Sequence, residues 1–127
     1  MPQSTQPRAF KTKRFSKNAK IAHIADADLC DAIQEVMAGQ SVDLGGGVYK
    51  KRLNKNQHRS IILAKGGEYW VYEYLFAKKD RDNIDDAELE MFRLLAKGYQ
   101  CLKKPQLAKL IEEKHLLEIC HDTKKEI

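Results

Sequence analysis

The chain has 127 residues, 43% of them hydrophobic and 32% charged, so it suits one compact domain and is too apolar for general disorder. The formal net charge of +5 alone is better explained by cations that only solvate the surface, whereas the concentration of basic residues in the first and central segments favours a polyanionic partner. The three cysteines include no CxxC pair, which argues against a disulfide framework and predicts a reducing, cytoplasmic location. No apolar run reaches the roughly 18 residues of a transmembrane helix, which excludes a membrane-spanning protein.

The first part of the chain is basic. Residues 1–8 are polar and contain two of the three prolines, and we predict a disordered lead there. A short strand is predicted over residues 9–15, and a small helix over residues 17–23 that Ser16 caps. This segment contains no acid before residue 26, and its cations are Arg8, Lys11, Lys13, Arg14, Lys17 and Lys20.

The clearest helix follows. Asp26 is a candidate N-cap, and Gly39 ends the pattern. Apolar residues recur at helical spacing between them, at Leu29, Ala32, Ile33, Val36 and Met37. Cys30 lies beside this stripe, where a small core residue is a better interpretation than a nucleophile.

The centre of the chain predicts three strands. Leu44-Gly45-Gly46-Gly47 lacks the lysine and hydroxyl residue of a P-loop and leads into a strand, so we interpret it as a bulged or turning strand entry. Strands are predicted over 48–53, 60–64 and 69–77, with a glycine hairpin turn at 65–68. Period-two alternation places Trp70, Tyr72, Tyr74 and Phe76 on one face, where we favour a core role over base stacking.

Two helices are predicted towards the end. Asp85 and Glu88 have the spacing of a capping box. The inner stripe of the helix that they start is Leu89, Phe92, Leu95, Ala96 and Tyr99. Pro105 starts a short helix over residues 106–114, and residues 116–120 form either a short strand or a hydrophobic latch.

Four blocks of the chain resemble one group of bacterial proteins. In order they read FKTKRF (10–15), LCDAI (29–33), DLGGGVYKKR (43–52) and FAKKDRDNI (76–84). They are similar to the patterns FKTKWFxKxAK, LCxAVxEMxxG, DLGGGxxKKR and FAKxxRDNI of a HigB-like branch of the RelE/HigB superfamily, the toxins of type II toxin–antitoxin systems. The resemblance extends from about Arg8 to Cys120.

This resemblance implies an α+β fold of RelE type, with the order β-α-α-β-β-β-α and an antiparallel sheet packed on helices. The toxin domain would cover residues 9–102, and residues 103–127 would be a short C-terminal helical extension of it. The implied activity is ribosome-dependent endonucleolytic cleavage of mRNA without a metal or other cofactor. The implied partners are mRNA on the ribosome and a neighbouring helix-turn-helix antitoxin, through which alone the chain would reach operator DNA.

The site that this chemistry needs is basic. In it a 2′-hydroxyl attacks the adjacent phosphate, so a base, a stabiliser of negative charge and an acid are required. Lys50 is the candidate base, because a desolvated lysine among other cations can lose its proton, whereas an arginine stays charged and holds phosphate. The candidate catalytic residues are Lys50, Arg52, Arg59, Lys78, Lys79 and Arg81. The candidate RNA-binding residues are Lys51, Lys55, His58, Lys11 and Lys13.

Other readings of the chain remain open. His58 could serve as the general acid, although one histidine in a polar loop is more often only solvated. A RelE-type domain that binds RNA or antitoxin without cleaving is the main alternative to a nuclease. A DNA-binding regulator is disfavoured because no helix combines a basic recognition face with helix-turn-helix spacing. No zinc site is predicted, because the cysteines and histidines lack the required spacing.

Overall fold

The structure, a computed structural model, describes residues 8–66 and 68–120, so all of the predicted disordered lead except Arg8 lies outside the described residues. Its elements in chain order are β1 (Arg8–Thr12), α1 (Lys13–Ile21), α2 (Asp26–Met37), β2 (Val42–Gly45), β3 (Val48–Leu53), β4 (His58–Lys65), β5 (Tyr69–Ala77), α3 (Asp86–Gln100), α4 (Lys104–Glu112) and β6 (Leu116–Ile119). This order confirms the predicted α+β class.

The strands form one six-stranded sheet in the order β2-β3-β4-β5-β1-β6. The central meander β3-β4-β5 is antiparallel, as predicted. The expectation of a wholly antiparallel sheet is wrong, because the pair of helices α1 and α2 separates β1 from the meander and β1 pairs with β5 in parallel. Residues 116–119 form an edge strand that pairs with β1, so the C-terminal extension contributes to the sheet as well as a helix.

Helices cover both faces of the sheet. Helices α1 and α2 pack on one face through a buried cluster that includes Phe15, Leu29, Ile33, Ile62 and Tyr72. Helix α3 packs on the other, here called the α3 face, through Val48, Ile61, Leu63, Phe76, Phe92 and Ala96. Helix α4 covers the start of β5 through Leu107, which clusters with Phe10, Tyr69, Val71 and Leu116.

A bulge in β5 changes which aromatic residues share a face. Ile61 pairs with Tyr74 and Ile62 with Tyr72, which leaves Glu73 unpaired between them. One extra residue reverses the alternation of side chains along a strand. Trp70 and Tyr72 therefore pack on the α1 and α2 side, whereas Tyr74 and Phe76 lie on the α3 face. The prediction of one shared face was wrong, and the prediction of a core role is confirmed for Tyr72 and Phe76.

The helix ends differ from the predictions at the start of the chain. Thr12, and not Ser16, caps α1, because its hydroxyl accepts a hydrogen bond from the Phe15 amide at 3.1 Å. Phe15 is therefore a helical core residue. Ala25 rather than Asp26 is the N-cap of α2. The capping box of α3 is confirmed, with Asp85 and Glu88 each accepting a backbone bond of 2.8 Å.

A disulfide joins Cys30 in α2 to Cys120 after β6, so the expectation of no disulfide was wrong. The 90-residue separation hid the pairing, since only the folded sheet brings the two Cα atoms to 5.4 Å. Cys101 is free and exposed. Leu95, predicted to face inward, is 41% exposed, because the inner stripe of α3 is centred on Phe92 and Ala96. The helices of the described segments are all too short or too polar to cross a membrane.

Candidate functional site

Three cations lie together on the α3 face, beyond the apolar cluster under α3. Val48 lies beneath that helix, so the strand period of two places Lys50 and Arg52 on the same face. Arg52 is directly paired with Arg59 across β3 and β4. We call Lys50, Arg52 and Arg59 the cation cluster. Lys51 points to the opposite face, where its Nζ lies 2.6 Å from a Glu35 carboxylate oxygen on α2.

Arg59 is the most deeply placed member of the cation cluster. Only 9% of it is exposed, and its Nη1 donates to the carbonyl oxygens of Asn56 at 3.0 Å and His58 at 3.3 Å. Among the described residues, no carboxylate forms an ion pair with Arg59, and none accepts a hydrogen bond from its Nε or Nη2. Buried cations are normally paired, because desolvating an isolated charge is costly. The guanidinium therefore keeps donors for an anion such as a phosphate.

Lys50 is held at the edge of the same face. Its Nζ donates to the Asn83 side-chain oxygen at 3.3 Å, and the same oxygen accepts from the Ile84 amide at 2.9 Å. This contact connects β3 to the start of α3, 33 residues further along the chain. Sequence reasoning missed Asn83 as a partner of Lys50, although it lies within the RDN segment of the fourth resembling block.

The loop between β3 and β4 has an unusual backbone. Asn54, Lys55 and Asn56 have φ values of 53°, 53° and 72°, so three successive residues other than glycine are left-handed. Asparagine tolerates this region better than most residues, but Lys55 adopts it at a cost. The carbonyl of Gln57 accepts a 2.9 Å bond from the Lys78 amide, which ties this loop to the segment after β5. Strained backbone of this kind is concentrated at functional sites.

An open cleft lies between these two loops and the end of α1. Its lining includes Asn18 and His23 near the end of α1, residues 54–58, residues 74–77, and residues 78–82. Lys78 and Lys79 line it, are exposed, and form no ion pair with any residue of the described segments. The cleft therefore extends the basic surface away from the cation cluster, past the ends of β4 and β5.

His58 lies in this cleft with one ring nitrogen engaged. The Asn54 side-chain amide is 3.2 Å from Nδ1, which leaves Nε2 without a partner among the described residues. Burial lowers the pKa of His58 below its ordinary value, the nearby Lys79 charge lowers it further, and Asp80 opposes both. The imidazole is therefore mostly uncharged at neutral pH. Asn54, like Asn83, is a contact that the sequence did not indicate.

Arg81 is placed differently from the two lysines before it. It forms a two-pronged ion pair with Glu88 on α3, and its guanidinium lies 5.6 Å from the centre of the Phe76 ring. The hydrogen bond to Glu88 raises the pKa of Arg81, and the same bond lowers the pKa of Glu88. The positive charge of Arg81 is therefore balanced by the Glu88 carboxylate. Arg81 is better placed to hold its loop against α3 than to bind a phosphate.

The two RNA-binding candidates near the start of the chain do not lie together. Lys11 is on the α1 and α2 side, where its Nζ is 2.6 Å from an Asp26 oxygen and its side chain is only 14% exposed. Lys13 is exposed in the first turn of α1. Lys55 is exposed at the tip of the β3–β4 loop and lines the cleft. The structure therefore brings Lys55, His58, Lys78 and Lys79 together in the cleft. Lys11 and Lys51 lie on the face of the sheet that α1 and α2 cover.

A family model described as the RelE toxin of the RelE / RelB toxin-antitoxin system matches residues 7–119. The chain belongs to the RelE toxin family. The match covers the whole sheet, all four helices and the cation cluster of this RelE-family chain. There is no significant match to a curated protein and none to a solved structure. Membership supports a toxin with an antitoxin partner, and it leaves the HigB-like branch as a resemblance.

Residues 8–66 and 68–120 contain no group of three or more histidine, cysteine or carboxylate side chains arranged to hold a metal ion. Cys30 and Cys120 are joined to each other in the disulfide. The groups that the described site offers for chemistry are the cations, His58 and the neighbouring amides.

Proposed function

We propose that this RelE-family chain is a ribosome-dependent mRNA endoribonuclease of the HigB-like branch that inhibits translation and is neutralised by its antitoxin. The observation that supports the proposal most directly is Arg59, a buried cation without a described carboxylate partner, paired across the sheet with Arg52. Two guanidinium groups and one ammonium group on one face suit a phosphate that gains negative charge during reaction.

The proposed reaction is a transesterification within the RNA strand. Lys50, as the base, takes the proton of a 2′-hydroxyl, and the 2′ oxygen forms a bond to the adjacent phosphorus. The bond from phosphorus to the 5′ oxygen breaks, and that oxygen leaves with a proton from a second group at the site. The products are a 2′,3′-cyclic phosphate and a 5′-hydroxyl. Arg52 and Arg59 stabilise the charge that develops on the phosphoryl oxygens.

The remaining candidates have supporting parts in this proposal. Lys55, Lys78 and Lys79 line the cleft and would hold phosphates on either side of the one that is cleaved. Arg81 would position the loop through Glu88. Much of the binding free energy would be electrostatic, so affinity for RNA should fall steeply with salt.

One observation favours a chain that binds without cleaving. Tyr99, on the inner stripe of α3, donates its hydroxyl to a Glu73 carboxylate oxygen at 3.3 Å and packs with two core clusters. Burial first, and then the charge of Glu73, raise the pKa of Tyr99. A hydroxyl held in this way is a poor general acid, so a silent RNA- or antitoxin-binding module is the second candidate function.

The experiment that separates the two candidates follows growth and maps new 5′-hydroxyl ends on ribosome-bound mRNA after expression of the chain. Lys50→Ala and Arg59→Ala should abolish both effects, whereas Lys97→Ala, an exposed lysine of α3 without a described ion pair, should not. Growth inhibition without new ends would identify a binding module. New ends that persist in Arg59→Ala would show that the cation cluster is not the site of cleavage.

A further inference from the structure

Helix α1 carries a basic face that the proposed cleavage does not use. Its outward residues include Lys13, Arg14, Lys17 and Lys20, all of them exposed. The helix contains no acid, and none of the four forms an ion pair within residues 8–66 and 68–120. By contrast, several described cations on other elements are paired, for example Lys11 of β1 with Asp26 and Arg93 of α3 with Glu90.

The first two of these cations, Lys13 and Arg14, lie where positive charge destabilises the helix. Lys13 and Arg14 lie in the first turn, and no acidic residue accompanies them there. The amino end of a helix carries partial positive charge, so cations at this end are unfavourable and acids are favoured. Arg14 is attracted by the Glu73 carboxylate of β5, whereas Lys13 forms no ion pair among the described residues, and a residue choice that breaks a local rule without a compensating contact indicates a use outside the fold.

The end of α1 opens into the cleft. Asn18, Ile21 and His23 line it together with Lys55 and Lys79 on the opposite wall. His23 is left-handed, with φ of 60°, at the position after the helix where glycine is usual. Ile21 is 71% exposed beside it. The basic face of α1 is thus continuous with the cleft in which RNA would lie.

The buried side of α1 excludes a membrane as the partner of this face. Phe15 and Ala19, the apolar residues of its inner side, are fully packed in the core against α2 and the sheet. A helix that binds a membrane surface needs a free apolar face to insert between lipids. A polyanion in solution needs only the exposed cations.

We infer that the exposed face of α1, formed by Lys13, Arg14, Lys17 and Lys20, binds the phosphate backbone of RNA beyond the nucleotides that are cleaved. The inference rests on the proposed function for the identity of the strand in the cleft. The four cations span eight residues of helix, about 10 Å along its axis. The face therefore binds a short run of phosphates, either of the mRNA that leaves the cleft or of ribosomal RNA beside it.

The test compares two variants that lose the same charge. One replaces Lys13, Arg14, Lys17 and Lys20 with glutamine, and the other replaces four exposed lysines without described ion pairs at the far end of the sheet, Lys97, Lys103, Lys104 and Lys109. Binding to a labelled, fully 2′-O-methylated RNA of about 20 nucleotides is measured by fluorescence anisotropy between about 50 and about 200 mM salt. Co-sedimentation with mRNA-free ribosomes over the same range gives the second arm.

The α1 variant should lose up to about 3 units of the slope of log K against log salt, because each lost contact to a single strand contributes about 0.7. The control variant should lose less than about 1 unit. A loss confined to the oligonucleotide arm identifies the mRNA, and a loss confined to the ribosome arm identifies ribosomal RNA.

Equal slopes for the two variants in both arms would overturn the inference and would leave an acidic protein as the partner of α1. Failure of the proposed function is seen separately, as an absence of new 5′-hydroxyl ends with the parent chain. The uncleavable RNA makes the binding result independent of catalysis. If the α1 variant still cleaves ribosome-bound mRNA at high protein concentration and low salt, these cations contribute to binding and not to the chemical step.

Discussion

Lys51 and Arg52 are adjacent in β3 but lie on opposite faces of the sheet. Alanine substitutions at the two positions should therefore affect different properties of the protein. Lys51 forms an ion pair with Glu35 at 2.6 Å, donates to the Gln40 carbonyl at 3.1 Å, and has a side chain only 12% exposed. Arg52 is exposed and has no ion pair or side-chain hydrogen bond within the described residues. The first substitution should change stability, and the second should change catalysis.

The magnitudes follow from these contacts. Lys51→Ala should lower the free energy of unfolding by roughly 1 to 2 kcal/mol, because it removes a partly shielded ion pair whose partner is exposed and one hydrogen bond. Arg52→Ala should change stability by less than about 0.5 kcal/mol. It should lower the cleavage rate by about 100- to 1000-fold, the usual cost of removing one donor to developing negative charge.

Urea unfolding and single-turnover cleavage of ribosome-bound mRNA measure the two quantities on the same protein samples. Arg52→Lys serves as a control, since it keeps the charge but loses the two-pronged geometry and should fall between the parent and Arg52→Ala. Equal losses of cleavage at positions 51 and 52 would refute the assignment of the cation cluster to the α3 face. So would a large loss of stability in Arg52→Ala with unchanged cleavage.

Three further predictions concern stability. Gly47→Ala should lower the free energy of unfolding by more than about 1 kcal/mol in urea titration, since φ is +87° and a Cβ would lie 2.6 Å from an α3 side chain. The control Gly66→Ala should leave stability unchanged, because its Cβ would enter open space. Burial raises the pKa of Glu73, so stability should fall as pH rises from the unfolded value of about 4.3, and Glu73→Gln should remove that slope. Cys120→Ser should cost roughly 4 kcal/mol under oxidising conditions and nothing in excess reductant.

Sequence reasoning succeeded where a short-range rule decides the outcome. The period of two in β3 was enough to separate Lys50 and Arg52 from Lys51, because only the direction of successive side chains is involved. The capping box at Asp85 and Glu88 depends on residues three apart and was likewise readable. These rules gave the side-chain directions in β3 and the start of α3, whereas the RelE-type fold class was implied by the resemblance of the four blocks.

The failures concern pairings over long distances. The parallel placement of β1 and the bulge at Glu73 depend on the register between strands, and a single sequence carries no local mark of register. The depth of Arg59 could not be read either, because an arginine at a strand start is usually exposed. Asn83 joins Lys50 only because the loop after β5 turns back over the sheet.

The position of β1 between β5 and β6 has a consequence for folding during synthesis. Ala9 pairs with Trp70 on one side and with Ile119 on the other, so the first strand completes its pairing only with the last described one. Contacts between such distant parts of a chain slow folding. The sheet cannot be completed until residues 116–119 have left the ribosome that synthesised them, so β1 of a nascent chain keeps one unpaired edge until well after β5 has emerged.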